Sequence, residues 1–371
     1  MVSYFDHATG TVPRPRILLN KKTSDAHDNP ALAIDAAGHL WVFSTTHGPR
    51  ERSSIHRSVK PYAIDAFEPV AQNISLSYGQ PWFVEGHGFL LIQNRYTDGR
   101  AVAFQTSADG RPWSEPELLA QFKGHYQVSG ISADGKRVGV MFNYHPRGLD
   151  TRTNLYYLET YDFGETWRNV NGEPLEVPLK DPKNAALVHD HEAAGELVYL
   201  KDLQFDQRGR PILLYLTSQG HLAGEEFGPH VWHTAHWTGE HWRRREITRS
   251  DHNYDFGQLY IERDGWKLIA PTDPGPQPFT TGGEIVMWSS RDEGQTWTRQ
   301  RTLTRNSPLQ HTYVRQPLHA HHGFYAFWAD GDALRTSESR LYFTDREGSV
   351  VWQLPTEMED EPAKPGVLKR Q

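Results

Sequence analysis

Two copies of one eight-residue motif stand 130 residues apart in this chain: Thr160-Tyr-Asp-Phe-Gly-Glu-Thr-Trp167 and Ser290-Arg-Asp-Glu-Gly-Gln-Thr-Trp297. Each follows a short apolar run, Asn154 to Leu158 and Glu284 to Trp288. Asp and Gly directly after such a run supply the backbone of a tight turn between strands, and Thr and Trp lock it. A turn that recurs implies a supersecondary unit that recurs, so the chemistry is expected on a surface the repeats share.

The rest of the chain can be parsed into the same unit. Strand pairs open at 31–35 with 39–43, 80–84 with 89–92, 127–131 with 138–142, 203–206 with 212–216, 258–261 with 266–269, and 313–318 with 324–328. Ser107-Ala-Asp-Gly-Arg-Pro-Trp113 and Trp237-Thr-Gly-Glu-His-Trp242 read as shortened or degenerate copies of the turn. Residues 2–6 and 15–19 read as two strands of a further unit. The expectation is an all-β fold, a β-propeller of four-stranded blades with seven blades. It spans 1–354 as one domain, followed by a solvated Pro-, Glu- and Lys-rich tail over 355–371. A β-sandwich is the alternative, but it does not require a unit repeated at this spacing.

Composition supports many short strands, with 12 Trp, 16 Tyr, 16 Phe, 31 Gly and 24 Pro. The net charge of −7 is spread without a basic block, which excludes nucleic acid as a natural partner. No run is long and apolar enough to span a membrane, and a monomer is expected. The first residues show no signal-peptide pattern, so the compartment stays open: secreted or periplasmic if a leader was removed, otherwise cytoplasmic. Cysteine is absent, which removes disulfide and thiol chemistry.

Up-and-down blades sort the loops by face. Links between blades and loops between second and third strands share one face, opposite the Asp/Gly/Trp turns. The first set holds His27, His47, His125, His145, His252 and His311, beside Arg147 and several tyrosines. Loops on a rigid scaffold are where sites are built. This face is rich in His, Tyr and Arg and poorer in paired carboxylates, which suits β-elimination from a uronate better than a two-carboxylate glycosidase. Elimination needs a cation to neutralise the carboxylate, a base for the α-proton and an acid for the leaving oxygen. His125 and His145 are the catalytic candidates, with Tyr254 assisting. His27, Tyr144, Arg147, Lys201, His252 and Arg315 are candidates to bind or neutralise substrate. No cofactor is required. His189-Asp-His191 and His319-Ala-His-His322 suggest at most a structural divalent cation, because no third ligand is identifiable.

The duplicated turns resemble the Asp-boxes of sialidase-like propellers, although Arg14-Pro-Arg-Ile17 matches poorly the segment that starts the sialidase arginine triad. Ala26-His-Asp-Asn-Pro-Ala31 is similar to the entry segment of the BNR-4 group, which includes ulvan lyases and rhamnosyl-glucuronate lyases or rhamnosidases. That resemblance implies a seven-bladed fold and an acidic polysaccharide or oligosaccharide as substrate. It implies a catalytic His at His27 in rhamnose-releasing members, and a lyase His pair at His125 and His145 with a Tyr at Tyr254. The reading is therefore a polysaccharide lyase. A glycosidase releasing rhamnose or sialic acid, or a non-catalytic glycan-binding propeller, are the alternatives.

Overall fold

The computed structural model describes residues 1–23, 25 and 27–368. Ser24 and Ala26 of the entry segment and the last three residues of the tail lie outside the described residues. The chain forms two compact units: Met1–Val2 with Arg16–Ala194, and Ser3–Pro15 with Gly195–Gln371.

The first unit holds three four-stranded antiparallel sheets. They are β1 (Pro30–Ile34), β2 (Leu40–Ser44), β3 (Ser53–Ser58) and β4 (Phe67–Ile74); β5 (Ser77–Val84), β6 (Gly88–Tyr96), β7 (Arg100–Ser107) and β8 (Glu117–Ala120); and β9 (Gln127–Ile131), β10 (Val138–Tyr144), β11 (Thr153–Thr160) and β12 (Leu187–His189). The second unit holds β13 (Leu197–Phe205), β14 (Pro211–Ser218), β15 (His230–Trp237) and β16 (Trp242–Ser250); β17 (Gln258–Glu262), β18 (Gly265–Asp273), β19 (Glu284–Ser290) and β20 (Thr298–Thr302); and β21 (Gln310–Arg315), β22 (Ala326–Gly331), β23 (Leu341–Thr344), β24 (Val351–Gln353) and β25 (Gly366–Val367).

Each sheet pairs its strands in chain order, the topology of propeller blades. The strand pairs predicted from sequence all form. The middle strands are buried on both faces, as in β10, β11 and β14, where every residue is buried. Within the first unit, side chains of the second and third sheets interleave around Phe104, Phe122, Phe142, Tyr156 and Trp167. Polar bonds join these sheets at their first strands: Gln80 Oε1 accepts the amide of Ser129 at 2.6 Å, and Trp82 Nε1 donates to Ser129 Oγ at 2.8 Å.

The predicted seventh blade does not form, and the described residues hold six. The two N-terminal stretches meet only at a single bridge, Val2 with Arg16, while Asp6 bridges Thr11 of the intervening turn. Pro13 and Pro15 remove two amide donors from the would-be return strand. Phe5 packs instead on Phe324 and Phe343, at ring separations of 5.8 and 5.1 Å. The tail also departs from expectation. β25 adds to the edge of the last sheet, Leu368 N donates to Val351 O at 2.8 Å, and Ala363 bridges Val12.

The duplicated turns are built identically. Asp162 Oδ1 accepts the amide of Thr166 at 2.8 Å, and Thr160 Oγ1 accepts that of Gly164 at 2.9 Å. Asp292 Oδ1 and Ser290 Oγ do the same for Thr296 and Gly294, both at 2.9 Å. Gly164 and Gly294 sit at φ +97° and +74°. A Cβ on Gly164 would lie 2.4 Å from the Phe104 ring, and one on Gly294 2.6 Å from Trp266, so each glycine meets both a left-handed backbone and an aromatic wall. Replacing Asp162 with Ala leaves the Thr166 amide unpaired. We expect a loss of about 2 kcal/mol of stability, read as a lower urea midpoint with unchanged ligand binding.

Candidate functional site

On the first unit, the loops predicted to share a face do meet. The tight β6–β7 hairpin places Tyr96 directly opposite Arg100. The β8–β9 link delivers Lys123, Gly124, His125 and Tyr126, and the end of β10 delivers Asn143 and His145. A β-bulge between Ser77 and Gln80 holds Tyr78 at φ 53°, an uncommon backbone for a tyrosine, and re-aims its ring.

Asn143 organises the centre. Its Oδ1 accepts the Tyr126 amide at 2.9 Å and lies 2.9 Å from His145 Nε2. An oxygen there requires that Nε2 carry the proton, so Nδ1 of His145 holds the lone pair. Gly124 makes room for that ring: a Cβ on it would lie 3.2 Å from His145 Nδ1. Burial, then the charges of Arg152, His125 and Arg100, push the His145 pKa down to about 2.

His125 is different. Its Nδ1 donates to the Asn143 carbonyl at 2.7 Å and its Nε2 accepts the Phe122 amide at 3.1 Å. It is fully buried against Phe122 and Phe142, and burial lowers its pKa to about 4. Both nitrogens being engaged by backbone, His125 holds the link in place and has no nitrogen to offer a substrate. The predicted acid/base pair therefore reduces to His145.

Arg100 lies over three tyrosine rings, 4.3 Å from the centroid of Tyr126, 5.4 Å from Tyr96 and 5.5 Å from Tyr78. Its buried Nε and Nη1 have no hydrogen-bond partner. Arg152 lies 5.0 Å over the Tyr126 ring. Stacking on aromatic faces offsets part of the cost of burying Arg100 but leaves its Nε and Nη1 unmatched, whereas Arg152 Nε donates to the Leu149 carbonyl at 2.9 Å. Burial also raises the Tyr78 phenol well above its usual range. Beside this cluster is a cleft of about 580 Å³ lined by Tyr96, Arg100, Lys123, Gly124, His145 and Arg147. Three cations and one neutral imidazole face a single cavity.

Of the other predicted residues in this unit, Tyr144 is buried in the core against Phe122, with its phenol pushed up by burial and then by Glu192, so it packs rather than binds. His27 is exposed and pairs with Asp25 next to His47. Asp25, His27 and His47 also form a group that could hold a metal ion.

In the second unit, Lys201 is buried and donates to the carbonyls of Asn253 and Asp255 at 2.7 and 2.6 Å, so its charge holds the β16–β17 link. His252 is buried beside Asp251 at 2.8 Å and Asp255 at 3.6 Å; these carboxylates raise its pKa against the effect of burial. Lys201 thus serves the link, while His252 Nε2 is buried with no hydrogen-bond partner among the described residues. Arg315 stacks 4.2 Å over Phe256 and 5.2 Å over Tyr313, and burial lowers its pKa against the pull of Tyr313, Asp202 and Asp255. Tyr254 is exposed and packs edge-on against Tyr199 at 5.3 Å. A larger cleft of about 670 Å³ lies along Arg299, Arg301, Arg305 and Arg340. Arg299 and Arg340 already pair with Asp273 and Asp330, and His311 there has both ring nitrogens engaged, by Ser307 and Trp328. The cleft beside His145 carries the better chemistry.

Tyr78, Arg100, Asn143 and Arg152 were not among the predicted site residues. Arg100 could have been found, because it directly follows the Asp98-Gly99 turn on the predicted loop face. The bulge that turns Tyr78 inward left no mark in the sequence pattern.

Both buried imidazoles of this unit make a pH prediction. Unfolded histidines titrate near pH 6.5, whereas folded His125 and His145 stay neutral to about 4 and about 2. The unfolded chain therefore binds more protons below about pH 6.5, and stability falls as pH falls, by up to about 1.4 kcal/mol per pH unit per group. Urea midpoints measured between about pH 7 and 5 should decline, and His145→Gln should flatten part of that slope. An unchanged slope in the variant would contradict the burial of this ring.

A sequence model of the BNR repeat-containing family matches residues 8–250. An ulvan lyase of Nonlabens ulvanivorans is 25% identical over 329 residues, covering 76% of this chain and 66% of that protein. The chain thus spans just under two-thirds of that relative's length. Among solved structures, an ulvan lyase bound to -[GlcA(1-4)Rha3S]- superposes with a TM-score of 0.74 at 15% identity, covering 93% of this chain and 87% of that one. The polysaccharide lyase Uly1 gives 0.60 at 15% identity, covering 86% and 78%. An α-L-arabinanase of Penicillium chrysogenum gives 0.52 at 11% identity, covering 85% and 92%. These structural likenesses concern the fold. With the family matched over more than half its length, the chain belongs to the BNR repeat-containing family.

Proposed function

We propose that this protein is a polysaccharide lyase that cleaves a uronate-containing acidic glycan by β-elimination, with His145 as the base. The observation that carries the reading is the cleft itself: Arg100, Lys123 and Arg147 line the same cavity as an imidazole whose Nδ1 holds a free lone pair. The cations bind the uronate carboxylate and stabilise the charge that develops when the neighbouring proton leaves. His145 Nδ1 takes the proton from C5, the C5–H electrons form the C4–C5 double bond, and the C4–O bond breaks toward the leaving sugar. Tyr96, which lines the cleft, donates a proton to that oxygen.

A base held near 2 is weak in the free protein. Part of that depression comes from Arg152 and Arg100, so a carboxylate docked among the guanidiniums raises the basicity of His145 as the substrate arrives. The ulvan lyase relatives support the substrate class, since one of them is bound to a glucuronate–rhamnose sulfate unit.

Incubation with ulvan or a glucuronate-rich glycan should raise the ultraviolet absorbance of an unsaturated uronate. His145→Ala should cut the rate by about 10²- to 10⁴-fold with the circular dichroism spectrum intact, and Arg100→Met should raise KM and lower kcat. New reducing ends without that absorbance would show hydrolysis instead, and binding without product a lectin.

A further inference from the structure

We infer that Asp25, His27 and His47 form a binding site for a divalent cation of the zinc class, separate from the cleft and independent of the lyase reading. The two imidazoles aim the same nitrogen at one carboxylate. His27 Nδ1 lies 2.6 Å from Asp25 Oδ1, and His47 Nδ1 lies 3.1 Å from Asp25 Oδ2. The three ligand atoms all lie within 4.8 Å of one another. In a tetrahedral zinc site with bonds of about 2.0–2.1 Å, neighbouring ligand atoms stand roughly 3.3 Å apart, so modest side-chain movement suffices to close on an ion. Without a metal, both rings must hold a proton on Nδ1 to bond this carboxylate. On metal binding each ring carries its proton on Nε2 instead, and the two Nδ1 lone pairs and the carboxylate turn to the ion.

The surroundings fix the three ligands. The His27 amide donates to Asp25 Oδ1 at 3.0 Å, and the His47 amide donates to Asp28 Oδ1 at 2.7 Å. The rings stack at 4.3 Å, and both present themselves to Tyr78, at centroid distances of 6.1 and 5.7 Å. Asp28 faces Lys21 at 3.7 Å and is already committed, so it does not compete as a ligand. Two nitrogens and one carboxylate favour zinc over calcium or magnesium, which take all-oxygen shells. Three protein ligands on a partly exposed loop leave a fourth position open to water or to an anionic group of a ligand.

The test uses the full chain, freed of metal by dialysis against a chelator and titrated with ZnCl2 alone by calorimetry. One tight equivalent is expected. Co2+ in its place should give the strong visible bands of a tetrahedral centre. Asp25→Ala and His47→Ala should each weaken that equivalent by at least about 100-fold, while His321→Ala, in the separate histidine cluster with His7 and His322, should leave it unchanged. No stoichiometric binding, or equal binding by the His47→Ala protein, would overturn the site, and the trio would then be a hydrogen-bonded loop clasp only.

Discussion

An aspartate carboxylate folded back onto a backbone amide four residues on fixes one end of two blades in this chain. With Asp162 and Asp292 each closing a turn against a glycine and an aromatic wall, the third strand is held at a defined height and orientation. That end of the blade is spent on scaffold. The links between blades and the loops between second and third strands lie at the other end, and the side chains of the cleft collect there. The polar bonds between neighbouring first strands, such as Gln80 to Ser129, keep the loop ends in register so that side chains from different blades can touch.

The first unit uses that freedom to bury positive charge. Arg100 is held by tyrosine faces rather than by a carboxylate, and two of its buried nitrogens have no acceptor. A carboxylate partner would have neutralised the guanidinium permanently; aromatic faces hold it without doing so. Burial, and then the field of Arg152, His125 and Arg100, keeps the adjacent imidazole unprotonated. A site of this kind prefers an anionic ligand for two coupled reasons: the unmatched donors are satisfied, and the basicity of His145 rises. Asn143 ties the two effects together, because one side-chain oxygen sets both the course of the link before β9 and the tautomer of His145.

Much of this was legible in the sequence. The repeated turn and the alternation of apolar runs placed the strand pairs and separated the two faces, and His145 and Arg147, on a loop of the predicted face, line one cleft. Failures have specific causes. His125 lies on the same face, but spacing cannot reveal that backbone groups take both its nitrogens. Lys201 was read as a charge facing a ligand, whereas it is consumed in holding the carbonyls of the β16–β17 link. Tyr78 and Arg100 were passed over because they belong to strands, where a bulge or the first residue after a turn can still face a site. The seventh blade was inferred from apolar residues near the N-terminus that pack as single side chains on the last sheet of the second unit.

The central claim is that His145 stands neutral in the cleft with its lone pair on Nδ1. Nitrogen-15 NMR of histidine-labelled protein reads tautomer and protonation for each ring directly. His145 should show a protonated Nε2 and a bare Nδ1 from about pH 7 down to about pH 5, with its titration moving upward when an acidic oligosaccharide binds. A His145 signal that titrates near the unperturbed value in the free protein, or that carries its proton on Nδ1, would contradict the account.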